Sequence, residues 1–430
     1  MRYQHRLCWL ALPVVLLAAC KKERTNGPLR ITIVSPGGGS TLVVPDTLTA
    51  TLQVSDDARV EHVSIQLVDA NGVPITPGAT ATPAGTTVIL RIPVRSERIR
   101  SGDYALVATA SGGGTDAHDF RTVHVVAVPP RLRAVFAFTS VGSTTGLSRI
   151  DSAGSVSALT SWNMDATGAA ASSYDQMLYV CGGVTGDLLA LDANDRSVQW
   201  SKPNLSLPGA PYFSALGFGG DIRPYVATSD GFLRGYNAST GLGEFTAALP
   251  SGFRGDRVLV VGERVFCSMH HIATQEQRLR TYQRSSGAPI GDQLLTQVPV
   301  GLFKRSTDAL LLFGNTAGHS VVEERNVELG GAWQPRAWSQ PIAAVEQVDG
   351  DTWILALADG TIERFTYANT SSQPIAQIAD VQALAYDPLN GLLYIGAGTQ
   401  VLAIDPLTGQ IGATYTIGGE VRYVVPLFNR

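Results

Sequence analysis

Leu188-Leu189-Ala190-Leu191-Asp192-Ala193-Asn194-Asp195-Arg196-Ser197-Val198-Gln199-Trp200 decides the fold of this chain. An apolar strand ends in a polar turn, and a second strand closes on a tryptophan. Ahead of it stands another apolar strand, Leu178-Tyr179-Val180-Cys181. The pattern returns along the sequence. Short apolar strands centred on Phe136, Tyr179, Tyr225, Phe266, Leu311, Ile354 and Tyr394 follow at spacings of 43, 46, 41, 45, 43 and 40 residues. Partners of the quoted strand recur at Leu233-Arg234-Gly235-Tyr236-Asn237, Leu279-Arg280-Thr281-Tyr282-Gln283 and Val401-Leu402-Ala403-Ile404-Asp405. In the turn Asp405-Pro406-Leu407-Thr408-Gly409, aspartate opens the turn, proline presets φ and glycine takes the left-handed position. A period near 43 with short strands predicts the blades of a β-propeller, because one blade cannot bury both its faces alone.

The ends of this region complete the pattern. Arg133 to Trp162 holds only three strands, and Val421-Arg422-Tyr423-Val424-Val425-Pro426-Leu427-Phe428 is a strand with nothing after it. The last strand is expected to close the first blade, giving a seven-bladed β-propeller over residues 131–430. Residues 29–128 read differently. Runs such as Leu48-Thr49-Ala50-Thr51-Leu52-Gln53-Val54 and Val63-Ser64-Ile65-Gln66-Leu67-Val68 alternate with period 2, which marks half-buried strands. Asn71-Gly72 is a tight-turn dipeptide. About 100 residues with six or seven such strands predict a β-sandwich. Val128-Pro129-Pro130 supplies a stiff hinge between the two parts. The fold class is therefore all-β throughout.

The repeats resemble PQQ-like propeller repeats, whose pattern is a Tyr-Val strand, a turn, Leu-x-Ala-Leu-Asp, a turn and a tryptophan. Ser101-Gly102-Asp103-Tyr104-Ala105-Leu106 resembles the Gly-x-Tyr pattern late in bacterial immunoglobulin-like domains. At the start, Arg2 and Arg6 precede an apolar run from Leu7 to Ala19, which closes on Leu17-Ala18-Ala19-Cys20. That run is too short to cross a bilayer and reads as a cleaved signal segment. The motif resembles the lipobox of bacterial lipoproteins. The resemblance implies a signal peptide over residues 1–19, lipidation of Cys20 (a palmitate-type acyl anchor) and a tether over residues 20–28. Lys21-Lys22-Glu23-Arg24 is similar to the start of lipoproteins sent to the outer membrane or cell surface.

Composition and motifs bound the function. The formal charge is −4, and it becomes −6 once Arg2 and Arg6 are removed. Such an acidic balance argues against nucleic acid as a partner. His-Glu-x-x-His, Cys-x-x-Cys, Gly-x-Ser-x-Gly and phosphate-loop motifs do not occur. Quinoprotein dehydrogenases resemble one another in adjacent cysteines, calcium-binding acids and many regular tryptophan motifs. This sequence has no Cys-Cys pair and six tryptophans, so no cofactor and no enzyme activity are expected. Cys181 and Cys267 fall two blades apart, too far for a disulfide, and read as buried free thiols. Met269-His270-His271, His319, Asp349-Gly350-Asp351 and Asp359-Gly360 read as turn or structural residues rather than metal ligands. Trp333, Arg336 and Trp338 fall in the least regular unit, where aromatics beside arginine could grip a sugar or a protein. The expected function is non-enzymatic binding of a protein or glycan partner by a propeller anchored to the membrane. Two rivals stand beside it. One is an assembly factor similar to the propeller lipoprotein of the outer-membrane β-barrel insertion machine. The other is a propeller hydrolase or lyase with an unrecognised metal site.

Overall fold

The computed structural model describes residues 28–430 apart from 56–59, 206, 208–209, 219–222 and 329. Cys20 and the segment after it through residue 27 lie outside the described residues. The chain divides into two compact units between Pro129 and Pro130. Among the described residues both units are built from strands and turns, with no helix.

The first unit is two sheets around one core. Ile31–Ser35, Asp46–Val54 and Thr87–Val94 form a three-stranded sheet. The second sheet orders Ser40–Val43, Thr115–Val126, Gly102–Gly112, His62–Val68 and Ala79–Ala81. Period-2 alternation does what it should: Leu48, Ala50, Leu52 and Val54 point inward, while Thr47, Thr49 and Gln53 stay exposed. They meet Val63, Ile65, Leu67, Leu106, Ala108 and Val123 of the opposite sheet. Ser40–Val43, not foreseen from the sequence, runs parallel to Thr115–Val126 at the sheet edge.

Seven four-stranded antiparallel sheets make up the second unit among its described residues. From first to seventh, their inner strands are Glu420–Phe428, Ala166–Ser172, Phe213–Phe218, Phe253–Val261, Val298–Lys304, Ile342–Gln347 and Val381–Asp387. Each inner strand packs on the next, and Glu420–Phe428 packs on those of the seventh and second sheets, so the ring closes. The C-terminal strand completes the first sheet by pairing with Leu132–Val141, with Val425 opposite Phe136. All seven residues at the repeat centres sit in second strands, and register pairs them with Val425, Ala170, Gly217, Leu259, Phe303, Glu346 and Ala385.

Every inner strand also carries a register shift near its start. The extra residues are Arg422, Thr167, Ser214, Asp256, Val300, Ala343 and Gln382. A bulge twists a strand and re-aims a side chain. Repeated in all seven strands, it gives the innermost layer one common geometry at one level of the ring.

Sheet faces are joined by docked side chains. Trp200, in the outermost strand of the second sheet, is 9% exposed and donates Nε1–H to the Ala238 carbonyl of the third sheet at 2.7 Å. Its ring lies 5.9 Å from those of Tyr179 and Tyr236. The approach requires a glycine: a Cβ on Gly241, at φ +68°, would meet the indole at 2.7 Å. Gly409, at φ +72°, repeats the device, with a Cβ position 1.9 Å from the Ile375 carbonyl of the sixth sheet. Cys181 and Cys267 are free and buried in the second strands of the second and fourth sheets. Burial pushes the Cys181 thiol up to about 12 and raises that of Cys267 as well, so neither is a thiolate at neutral pH.

Candidate functional site

The three sequence candidates lie in Ala332–Trp338, the outermost strand of the fifth sheet. Register pairs Ser320 with Trp338, Val322 with Arg336 and Glu324 with Trp333, with a bulge before the last pair. The bulge absorbs one residue and brings all three side chains onto the face turned toward the sixth sheet. Their fates there differ.

Trp338 is a core residue, which removes it from any exposed surface. It is 5% exposed and packs on Phe365 at 5.6 Å and Phe313 at 6.3 Å between ring centres. Its Nε1–H donates to Glu363 Oε2 at 2.7 Å and Ser372 Oγ at 3.1 Å. The indole joins two sheets as Trp200 does. Arg336 is half-buried, and its Nε–H is enclosed without a hydrogen-bond acceptor.

Trp333 is 53% exposed and stands edge-on to Tyr367, 6.0 Å away at 88°. The Tyr367 hydroxyl donates to Glu324, and the Arg305 guanidinium lies over the Tyr367 ring at 4.3 Å. Arg305 is itself held by the Gly350 carbonyl at 3.0 Å. All these groups lie where inner strands end and third strands turn back, which is one face of the ring. Tyr367 and Arg305 were not singled out from the sequence. One follows a third strand and the other an inner strand, and no local pattern joins positions so far apart.

The remaining sequence candidates are turn and wall residues. Asp349 Oδ1 accepts from Asp351 N at 2.8 Å, and Asp359 Oδ1 from Thr361 N at 2.9 Å, so both open turns. His270 Nδ1 lies 2.8 and 2.9 Å from the two oxygens of Asp256, whereas His271 Nδ1 accepts from Thr274 N. His319 pairs with the Thr316 hydroxyl beside it.

The inner ring holds an ionisable group that the repeat pattern hides. Glu346 occupies the position taken by Val425, Ala170, Gly217, Leu259, Phe303 and Ala385 in the other inner strands. Its carboxyl receives one backbone hydrogen bond, from Tyr386 N at 3.4 Å. Burial pushes it up to about 7. A carboxyl raised in the fold stabilises it fully below the unfolded value of about 4.3, and that contribution is lost as pH rises through the folded value. Asp256 is raised by burial in the same direction. Glu346→Gln is expected to leave stability unchanged at pH 4 and to raise it by ~2 kcal/mol at pH 8. Urea unfolding at the two pH values tests this, and an equal response at both would refute it.

No protein-family model and no curated protein matches the chain. Solved structures do. The WD40 β-propeller domain of Doa1 is 11% identical with a TM-score of 0.48, over 67% of this chain and 89% of that one. A quinonprotein alcohol dehydrogenase-like protein from Bacteroides thetaiotaomicron is 13% identical with a TM-score of 0.45, over 93% and 99%. A putative 6-phosphogluconolactonase from Bacteroides fragilis is 10% identical with a TM-score of 0.51, over 68% and 97%. At such identities the likeness concerns fold alone. The closed ring of four-stranded sheets among the described residues makes the second unit a β-propeller.

Proposed function

We propose that this chain is a lipid-anchored binding protein of the bacterial cell envelope, at the outer membrane or cell surface, and not an enzyme. Its second unit is read as a seven-bladed propeller of PQQ-like repeats. Its first unit is read as an immunoglobulin-like domain. The Tyr104 hydroxyl, which donates to the Arg100 carbonyl at 2.9 Å, supports that second reading as the backbone-tied tyrosine of such sandwiches. One observation carries the binding role: the half-exposed Trp333 ring, held by Tyr367 with Arg305 over the Tyr367 face. A large aromatic pre-set by its neighbours loses little freedom on contact and suits a protein or glycan partner.

Trp333→Ala is expected to abolish retention of envelope proteins and glycans on the immobilised full-length chain, with stability within ~1 kcal/mol of wild type. Retention unchanged by Trp333→Ala would sink the reading. Anchoring rests on the lipobox at Cys20. Cys20→Ser should release the protein from the membrane fraction, and mass spectrometry of the mature amino terminus should find acyl chains on Cys20 of the wild type. An unacylated terminus would refute the anchor.

A further inference from the structure

The seventh sheet lacks a ring that the second and third sheets possess. Register sets Trp200 opposite Ala190, Phe245 opposite Gly235 and Ala413 opposite Ala403, each just past a bulge in the outermost strand. Ala190, Gly235 and Ala403 pair in turn with Tyr179, Tyr225 and Tyr394, so the three positions are equivalent. Trp200 and Phe245 are buried in the seam to the following sheet, 5.9 Å from Tyr179 and 5.4 Å from Tyr225 between ring centres. The fourth sheet has Gly291 at this position, and there Val327, from the turn of the fifth, packs with Phe266 and Leu279. In the seventh sheet Ala413 offers only a methyl group.

A cavity of about 460 Å³ lies in that seam, between the seventh and first sheets. Its walls repeat the socket of Trp200. Tyr394 stands for Tyr179. Arg149 pairs with Phe136 as Gly235 pairs with Tyr225, so Ile150 and Ser152 stand for Tyr236 and Ala238. Gly154, at φ +83°, stands for Gly241. The two turns share their bonding: Asp151 Oδ1 accepts from Ala153 N at 2.9 Å, as Asn237 Oδ1 does from Ser239 N at 3.1 Å. Tyr415, two residues beyond Ala413, comes within 3.5 Å of the Cβ position of Gly154, yet it lines the cavity rather than filling it. In the second sheet the Tyr179 hydroxyl and the Trp200 Nε1–H both donate to the Ala238 carbonyl. The Tyr394 hydroxyl, on a residue 5% exposed, makes no hydrogen bond among the described residues. An enclosed hydroxyl is costly to leave without a partner.

We propose that this cavity binds a free small molecule carrying an indole ring, in the manner of the Trp200 side chain. The ring lies against Tyr394 and Ile150, and its N–H meets the Tyr394 hydroxyl and the Ser152 carbonyl. Ile411–Thr416 already holds the outer-strand position, so the ring does not arrive on a partner's strand. It enters where the exposed residues Ser152, Leu389 and Asn390 line the opening. The volume falls within the range of small-molecule sites, roughly 300–1,000 Å³. Trp333 stands in a different seam, between the fifth and sixth sheets, so the two sites stand or fall separately.

Isothermal titration of the full-length chain tests the proposal with indole, 1-methylindole, benzofuran and N-acetyl-glycyl-tryptophyl-glycinamide. Indole is expected to bind at one site, about tenfold more tightly than 1-methylindole or benzofuran, which keep the shape and lack the donor. Ala413→Trp supplies the missing ring from within, and it should abolish indole binding and raise the melting temperature. Leu392→Trp, from the cavity wall, should abolish binding too and serves if Ala413→Trp does not fold. Tyr394→Phe should weaken binding severalfold. Ile411→Trp, exposed in the same strand as Ala413, should leave it unchanged. No binding of indole, equal binding of benzofuran, or indole binding undiminished by the cavity-filling variants would overturn the proposal. Tighter binding of the tripeptide than of indole would overturn it as well, by assigning the socket to a partner protein.

Discussion

Deleting residues 421–430 should open the propeller and leave the second unit without a cooperative fold. The lost strand carries Val421, Val424 and Leu427, which are 0%, 7% and 2% exposed. Burial of three such side chains contributes ~5–8 kcal/mol. The deletion also exposes the edge of Leu132–Val141, whose ladder partner it removes. Contacts between the ends disappear with it: Gln176 Nε2 donates to the Phe428 carbonyl at 2.7 Å, and Arg131 N to Asn429 Oδ1 at 2.9 Å. The combined loss is comparable to the whole stability of an ordinary domain, ~5–15 kcal/mol. Calorimetry of the truncated chain should find the propeller transition missing. A transition at the wild-type temperature would contradict closure by the C-terminal strand.

Trp338→Ala should cost ~3–5 kcal/mol, the usual loss for a buried tryptophan. The cavity would open between Phe313 and Phe365, and Glu363 would lose its indole donor inside the interface between sheets. Trp338→Phe keeps most of the volume and loses the donor, so ~1–3 kcal/mol is expected. Trp333→Ala, five residues away in the same strand, should move stability by no more than ~1 kcal/mol. Urea midpoints of the three variants separate packing from exposure. Equal losses for Trp333→Ala and Trp338→Ala would show that this assignment is wrong.

The strand repeat was legible because its physics is local. Each second strand is buried on both faces and reads as an apolar run, and turns such as Asp405–Gly409 open on an aspartate and place a glycine in the left-handed position. The closing strand was legible because a three-stranded first unit and an unpartnered last strand complement each other. The rim was only partly legible. An odd separation of five residues puts Trp333 and Trp338 on opposite faces of a regular strand, and the bulge reverses this. Which of two half-apolar tryptophans is buried depends on the neighbouring sheet, which no local pattern reports. Tyr367 meets Trp333 only because the fifth and sixth sheets pack together, and Arg305 joins them through the Tyr367 ring. Glu346 was hidden for a similar reason. It looks like an ordinary surface charge until the seven inner strands are aligned by register and its counterparts prove to be glycine, alanine, valine, leucine and phenylalanine.

Site-specific photo-crosslinking from position 333 tests the binding role most directly. A photoreactive phenylalanine analogue replaces Trp333 in the full-length chain, displayed on cells, and a second variant carries it at Val198, an exposed outer-strand residue of the second sheet. Irradiation is expected to give one discrete protein or glycan adduct from position 333 and none from position 198. No adduct at 333, or the same adducts from both positions, would contradict a binding surface at this rim.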